Sequence, residues 1–156
     1  MTKLFRGRFD CRVDQKGRII FPSTLRDALP QNSLDFVVTN GLSSQKKFLD
    51  IYLKSDWDKL EDKISQMPSL NKNVQIYQRF YLSGGQGCSL DGQNRLNLPL
   101  NLRKYADVQS DVVLVGMGHK IELWPSQLWE QVQEDMAKEF DSVLANVADL
   151  EMDMVI

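Results

Sequence analysis

From Phe5 to Val13 the chain alternates: Phe5, Gly7, Phe9, Cys11 and Val13 fall on one side, and Arg6, Arg8, Asp10 and Arg12 on the other. A period of two marks a half-buried strand, because successive side chains leave opposite faces of the pleated backbone. The next residues, Gln15-Lys16-Gly17, suit a three-residue hairpin loop in which a type I turn is closed by a residue in the left-handed conformation. Glycine takes that positive φ without steric cost. In this register Asp14 faces Arg18, Val13 faces Ile19 and Cys11 faces Phe21, and Arg18 joins Arg6, Arg8 and Arg12 on the polar face. A slip of one residue would exchange the two faces.

Beyond the hairpin, Pro22 suits the first turn of a short helix, where a missing N–H is no loss, and Leu25, Ala28 and Leu29 give that helix an apolar face before Pro30 ends it. Phe36-Val37-Val38 and Leu49-Asp50-Ile51-Tyr52 read as strands, and Trp57, Leu60 and Ile64 recur at helical spacing between Ser55 and Gln66. The tryptophans are expected in the core. Between Asn73 and Leu82 the residues Val74, Tyr77, Phe80 and Tyr81 are again spaced as on a helix.

The pattern then returns. Asp14-Gln15-Lys16-Gly17-Arg18-Ile19-Ile20-Phe21-Pro22, with Leu25-Arg26, is matched by Asp91-Gly92-Gln93-Asn94-Arg95-Leu96-Asn97-Leu98-Pro99, with Leu102-Arg103, at an offset of 77. The same offset sets Gly7 on Gly84, Cys11 on Cys88, Val13 on Leu90 and Phe36-Val37-Val38 on Val113-Leu114-Val115. Further on the offset is 72, with Leu49-Asp50-Ile51-Tyr52 on Ile121-Glu122-Leu123-Trp124 and Trp57 on Trp129, which implies a five-residue insertion near Leu42 to Lys47. The chain is therefore expected to be α+β, built from tandem duplicated β-hairpin and helix modules. The first module spans residues 1–70, a linking helix 71–82, the second module 83–140 and an acidic tail 141–156, the last weakly docked or frayed.

Composition changes this picture little, but charge changes it more. The 156 residues are 42% hydrophobic and 26% charged, as in a soluble globular protein, and the net charge of −2 gives no bulk attraction to nucleic acid. The average conceals an asymmetry: Lys3, Arg6, Arg8, Arg12, Lys16, Arg18 and Arg26 stand against only Asp10 and Asp14 in the first 26 residues. No apolar run approaches the length of a membrane span, and charge enters within a few residues of Met1, which is unlike a signal peptide. A cytoplasmic location follows, in which Cys11 and Cys88 act as small buried hydrophobes without a disulfide.

Candidate chemistry gathers at the two turns. Asp14 with Arg18, and Asp91 with Arg95, are structural pairs across the loop, of a kind that contributes roughly 0.2–1 kcal/mol. The same carboxylate can orient a guanidinium whose remaining donors face a phosphate or a base edge. Gly17 and Asn94 occupy the left-handed positions, asparagine being the usual second choice there. The strand faces differ, however: Ser83, Gly85, Gly87 and Ser89 stand where the first copy has Arg6, Arg8, Asp10 and Arg12. The second copy keeps the scaffold without the charge, so DNA contact is assigned to Arg6, Arg8, Arg12, Lys16 and Arg18.

These residues together resemble the MraZ family, marked by a repeated D-x-x-x-R motif that is met here as Asp14 to Arg18 and Asp91 to Arg95. The resemblance extends over nearly the whole chain, including Phe5-Arg6-Gly7, the two proline-led helices and Ile121-Glu122-Leu123-Trp124, although Asn94 stands where the family commonly has glycine. It implies a swapped-hairpin β-barrel of the AbrB/SpoVT type with peripheral helices. It also implies a homo-oligomeric ring on the nucleoid and sequence-specific regulation of the division and cell-wall gene cluster through double-stranded DNA.

Other chemistry finds little support. His119 is the only histidine, no metal-ligand spacing exists, and there is no phosphate-binding or dinucleotide motif. Gly84-Gly85-Gln86-Gly87 precedes a strand and reads as a hinge. No enzyme activity, cofactor, small-molecule substrate or membrane partner is expected. The competing function is a non-catalytic protein-interaction ring that uses the basic face for an acidic partner.

Overall fold

The structure, a computed structural model, describes residues 4–150. Lys3 and residues 151–156 of the expected tail lie outside the described residues. The chain forms two units, Met1–Pro125 and Ser126–Ile156. In the first unit the elements run β1 (Arg8–Arg12), β2 (Arg18–Ile20), α1 (Ser23–Arg26), β3 (Asp35–Ser43), β4 (Lys46–Leu53), α2 (Lys54–Ser65), α3 (Lys72–Tyr77) and a π-helical turn (Gln78–Leu82). They continue as β5 (Gln86–Ser89), β6 (Arg95–Asn97), α4 (Leu100–Tyr105), β7 (Asp111–Gly116) and β8 (Lys120–Pro125). Pro22 and Pro99 stand one residue ahead of their helices, at φ of −56° and −58°, values the pyrrolidine ring sets in advance. The fold is α+β with a mostly antiparallel sheet.

Six strands pair in the order β1-β7-β8-β4-β3-β5, and β2 pairs with β6 in a separate ribbon. Each copy has therefore exchanged strands with the other. β1 does not ladder with β2: Arg8 to Arg12 pair with Val115 to Asp111, and Arg18, Ile19 and Ile20 pair with Asn97, Leu96 and Arg95. Of the within-copy pairs expected from the hairpin register, only Leu90 with Leu96 forms a bridge, while Cys88 lies opposite Phe36. The turns keep their local hydrogen bonds, but β1 and β5 find longer and more apolar partners, β7 and β3, in the other repeat, and β2 and β6 pair with each other. The sheet is open, with β1 and β5 at its edges, and the expected closed barrel is not seen as a continuous ladder.

Exchanging the copies maps this order onto itself, so the first unit has a pseudo-twofold axis through the Ile19–Leu96 and Asp50–Glu122 pairs. The pairing corrects one detail of the repeat. Arg12 faces Asp111 as Ser89 faces Asp35, so β3 matches β7 at an offset of 76, with Phe36 on Val112 and Val38 on Leu114. The stretch from Pro99 to Asp111 is one residue shorter than that from Pro22 to Asp35, and the rest of the length change falls in the longer β3–β4 hairpin.

One face of the sheet holds the core, where Phe36, Val38, Leu49, Ile51, Val112, Leu114, Ile121 and Leu123 pack with Ile19, Phe21, Leu25, Leu96, Leu98 and Leu102 from the ribbon and short helices. The other face is also covered: Val37, Val113 and Val115 are buried, which explains why these strands read as continuous apolar runs. There Asp50, 2% exposed, lies 3.1 Å from Lys120 Nζ and accepts a hydrogen bond from the Tyr81 hydroxyl. Burial pushes the Asp50 carboxyl up, and Lys120 and Tyr81 oppose that shift. Thr39 also donates to the Tyr81 carbonyl at 2.6 Å, so the link between the copies is fastened to the sheet.

The linking segment begins at Asn71, whose side chain caps α3 by accepting from Asn73 N and Val74 N at 2.8 and 3.3 Å. Two of the glycines after it, Gly84 and Gly85, where the sequence reads as a hinge, are closely packed. A Cβ on Gly84 would meet Asn40 Oδ1 at 1.9 Å, and one on Gly85 would meet Trp57 Cζ2 at 2.6 Å, so these residues permit close packing. The second unit is α5 (Ser126–Leu150), a helix that runs through Asp141 without a break at the expected start of the tail.

Candidate nucleic-acid interface

The two turns are built alike. Gly17 N donates to Asp14 O at 3.0 Å and Asp14 N to Arg18 O at 2.9 Å; Asn94 and Asp91 repeat the pattern, both at 3.0 Å. Gly17 has φ of 86° and Asn94 of 59°, the left-handed conformation that closes a type I turn. Within each loop the aspartate accepts two backbone N–H groups, from Lys16 and Arg18 or from Gln93 and Arg95, at 2.8–2.9 Å. Its second oxygen accepts from the arginine Nε at 2.8 Å in both copies. The backbone donors, followed by the guanidinium, hold both carboxyls below the usual carboxylate range. Each arginine is oriented through Nε, and its two terminal amino groups are left for another partner.

The ribbon brings these arginines onto one surface. Ile19 and Leu96 point into the core, so Arg18, Ile20, Arg95 and Asn97 take the outer face. Arg18 lies across from Asn97 and Ile20 across from Arg95, which makes the two arginines diagonal neighbours. Ile20 is 67% exposed between them. Because β2 does not pair with β1, the register that would have put Arg18 in line with Arg6, Arg8 and Arg12 does not exist. Those three arginines are exposed along the sheet edge, where Arg12 Nε lies 3.4 Å from Asp111 Oδ1, and Lys16 is exposed at the tip of its turn.

Strand exchange also adds residues that the sequence did not single out. Leu98 N donates to Gly17 O at 2.8 Å, and Arg103 Nε donates to Leu98 O at 3.1 Å. A Cβ on Gly17 would lie only 2.5 Å from Arg103 Cζ, so the guanidinium rests against the bare Cα of the glycine. Gly17 thus answers a contact as well as a backbone angle. At the other turn Phe21 N donates to Asn94 O at 2.8 Å and Arg26 Nε to Phe21 O at 3.3 Å. The repeated Leu-Arg that follows each proline was the available signal, but its meaning depended on knowing which turn each helix meets.

The resulting charge is uneven. At the first turn Lys16, Arg18 and Arg103 stand with one carboxylate, Asp14, and Lys104 follows Arg103 in the sequence; at the second turn Arg95 is paired with Asp91, Gln93 takes the place of Lys16, and Asp27 follows Arg26. On the edge strands the contrast persists, because Ser89 of β5 donates to Asp35 at 2.6 Å where β1 carries Arg12.

Other chemistry-bearing groups differ in character. Cys11 and Cys88 are free, and burial pushes both thiols up to about 11, helped at Cys11 by Asp10, which leaves them protonated and weakly nucleophilic near neutral pH. Among the described residues no group of three or more His, Cys, Asp and Glu is placed to hold a metal ion. No helix among them is long and apolar enough to cross a membrane.

Comparison with known proteins agrees with the duplicated architecture. A sequence profile described as "MraZ protein, putative antitoxin-like" matches residues 4–80 and again 81–151. A protein of Natranaerobius thermophilus named "Transcriptional regulator MraZ" is 36% identical over 149 residues, 96% of this chain and 100% of its own length. Proteins of the same name from Pediococcus pentosaceus and Halothermothrix orenii are 38% and 36% identical, over 94% of this chain and 98% and 99% of their own lengths.

Proposed function

The chain belongs to the MraZ family, and on that premise we propose that it is a transcriptional regulator that binds double-stranded DNA through the outer face of the β2–β6 ribbon and the adjoining β1 edge. The observation that carries this reading is the pair of turns in which an aspartate orients an arginine through Nε at 2.8 Å, with both arginines on one exposed face. Arg18, so oriented, presents its terminal amino groups to a phosphate or to a guanine edge, for which a guanidinium fork is well matched. Arg6, Arg8, Arg12 and Lys16 contact phosphates and set the register on the duplex. Catalysis has no part in this function.

The ribbon, packed on the sheet through Ile19, Phe21, Leu96 and Leu98, acts as the closing element of a swapped-hairpin barrel. One copy offers a small charged surface, so the working form is a homo-oligomeric ring in which several copies engage repeated sites and gain by multivalency. Its place is the cytoplasm, on the nucleoid, and its target is the division and cell-wall gene cluster. Retention of genomic fragments by the purified protein tests the reading. Specific fragments should be enriched, and the logarithm of the affinity should fall linearly with the logarithm of salt concentration, with a slope set by the number of phosphates neutralised. Absence of DNA binding at low salt would overturn it and favour the ring that takes an acidic protein.

A further inference from the structure

We infer that Arg103, from the second repeat, is a phosphate-contacting residue of the first turn, so that the DNA surface is a composite of both repeats. The inference rests on the reading just given and adds a residue to it.

Two observations make Arg103 a ligand-facing group. Its position is fixed: Nε donates to Leu98 O at 3.1 Å, Leu98 N donates to Gly17 O at 2.8 Å, and the guanidinium lies against the Cα of Gly17. Its charge is uncompensated, since no carboxylate among the described residues forms an ion pair with it, although it shares the turn with Lys16 and Arg18. Like charges held together on a half-buried fork are unfavourable in the free protein and become favourable when a phosphodiester approaches. A fork fixed through Nε keeps its two terminal amino groups for that anion, and little rotamer freedom remains to be lost on binding.

The pseudo-twofold axis supplies the control. Arg26 makes the equivalent bond to Phe21 O, at 3.3 Å, but its turn carries Asn94, which has a side chain where Gly17 has none. Asp27 also follows Arg26 where Lys104 follows Arg103. A purely structural role would be the same for both arginines, whereas a phosphate contact belongs to Arg103.

The test compares Arg103→Ala, Arg103→Lys, Arg26→Ala and Arg18→Ala in the full chain, on a mixed-sequence DNA duplex over a range of salt, with thermal melts alongside. Arg103→Ala should weaken binding about tenfold near 100 mM salt and reduce the salt slope by about one. Arg103→Lys should retain the slope with an intermediate affinity, and Arg26→Ala should retain both. An unchanged slope in Arg103→Ala, or equal losses in Arg103→Ala and Arg26→Ala, would overturn the inference. If Arg103→Ala does not fold, a reduced slope in a folded Arg103→Lys would overturn it, because charge alone should preserve that contact. Should Arg18→Ala also leave binding unchanged, the turn itself is not the interface and the broader reading falls instead.

Discussion

At one end of the β2–β6 ribbon a glycine at φ 86° lies under an arginine from the other repeat, with Lys16 at the tip; at the other end an asparagine at φ 59° stands in the glycine's place, with Gln93 at the tip. The hydrogen bonds of the two turns agree to within 0.1 Å, from the backbone closures to the Asp–Arg pair at 2.8 Å. Duplication has kept the geometry that orients an arginine and has varied the charge around it. The D-x-x-x-R geometry is common to both repeats while the charge around it is not, and on the function proposed above it is the charge at the first turn that sets the strength of DNA binding.

The largest effects should show where the copies do not differ. Phe21 and Leu98 are pseudo-equivalent and fully buried, so Phe21→Ala should cost about 3–5 kcal/mol and Leu98→Ala about 2–5 kcal/mol. Against a total stability of about 5–15 kcal/mol either loss is severe, and chemical denaturation measures both. A small cost for one of them alone would mean that the core is not shared evenly between the repeats.

Substitutions at Gly17 should be smaller and more selective. Gly17→Val forces a β-branched residue to positive φ, at a cost of about 1–3 kcal/mol, and should fray the turn. Gly17→Asn reproduces the residue of the second turn and should melt close to the parent protein. Its Cβ would displace the flexible end of Arg103, so it should lose part of the DNA affinity while remaining folded. Equal melting points for the two variants would show that the left-handed position does not govern stability.

The smallest effect concerns acid. Asp14 and Asp91 have carboxyl pKa values held below the unfolded range, so each contributes stability above that range and loses it as pH falls through its own lowered pKa. Asp14→Asn should therefore lower the melting temperature near neutral pH, and the gap from the parent should close in acid. Asp91→Asn should behave the same way, and thermal melts across pH would expose any difference between the turns. A gap that stayed constant down to strong acid would show that the charge of Asp14 is not what stabilises the loop.

Much of this architecture was legible in the sequence because it is local. Alternation from Phe5 to Val13, the loop that needs a left-handed residue at Gly17 and Asn94, and the proline-led helices each depend on a few neighbouring residues. Which strand a strand pairs with is a long-range fact. The alternation of β1 suits β2 of its own copy as well as β7 of the other, and only the assembled sheet selects Val112 and Leu114 as partners of Cys11 and Phe9. The same exchange hid Arg103, which is distant from Gly17 in sequence and rests against it in the fold. The sequence match and the strand pairing of the Val113 region differ by one residue for a related reason: a Val-Leu-Val run buried on both faces has no polar residue to fix its phase.

The claim that binding depends on charge at the first turn is tested most directly by moving that charge. Lys16 and Gln93 are exposed at equivalent tips, and each engages the turn through its backbone N–H at 2.8–2.9 Å, so exchanging their side chains leaves both scaffolds intact. The salt dependence of DNA affinity should be measured for Lys16→Gln and for the same protein carrying Gln93→Lys as well. Lys16→Gln should reduce the slope by about one and weaken binding, and Gln93→Lys should restore neither. Full recovery of slope and affinity in the double variant would show that the two turns are interchangeable as DNA contacts and that the first turn has no special part in binding.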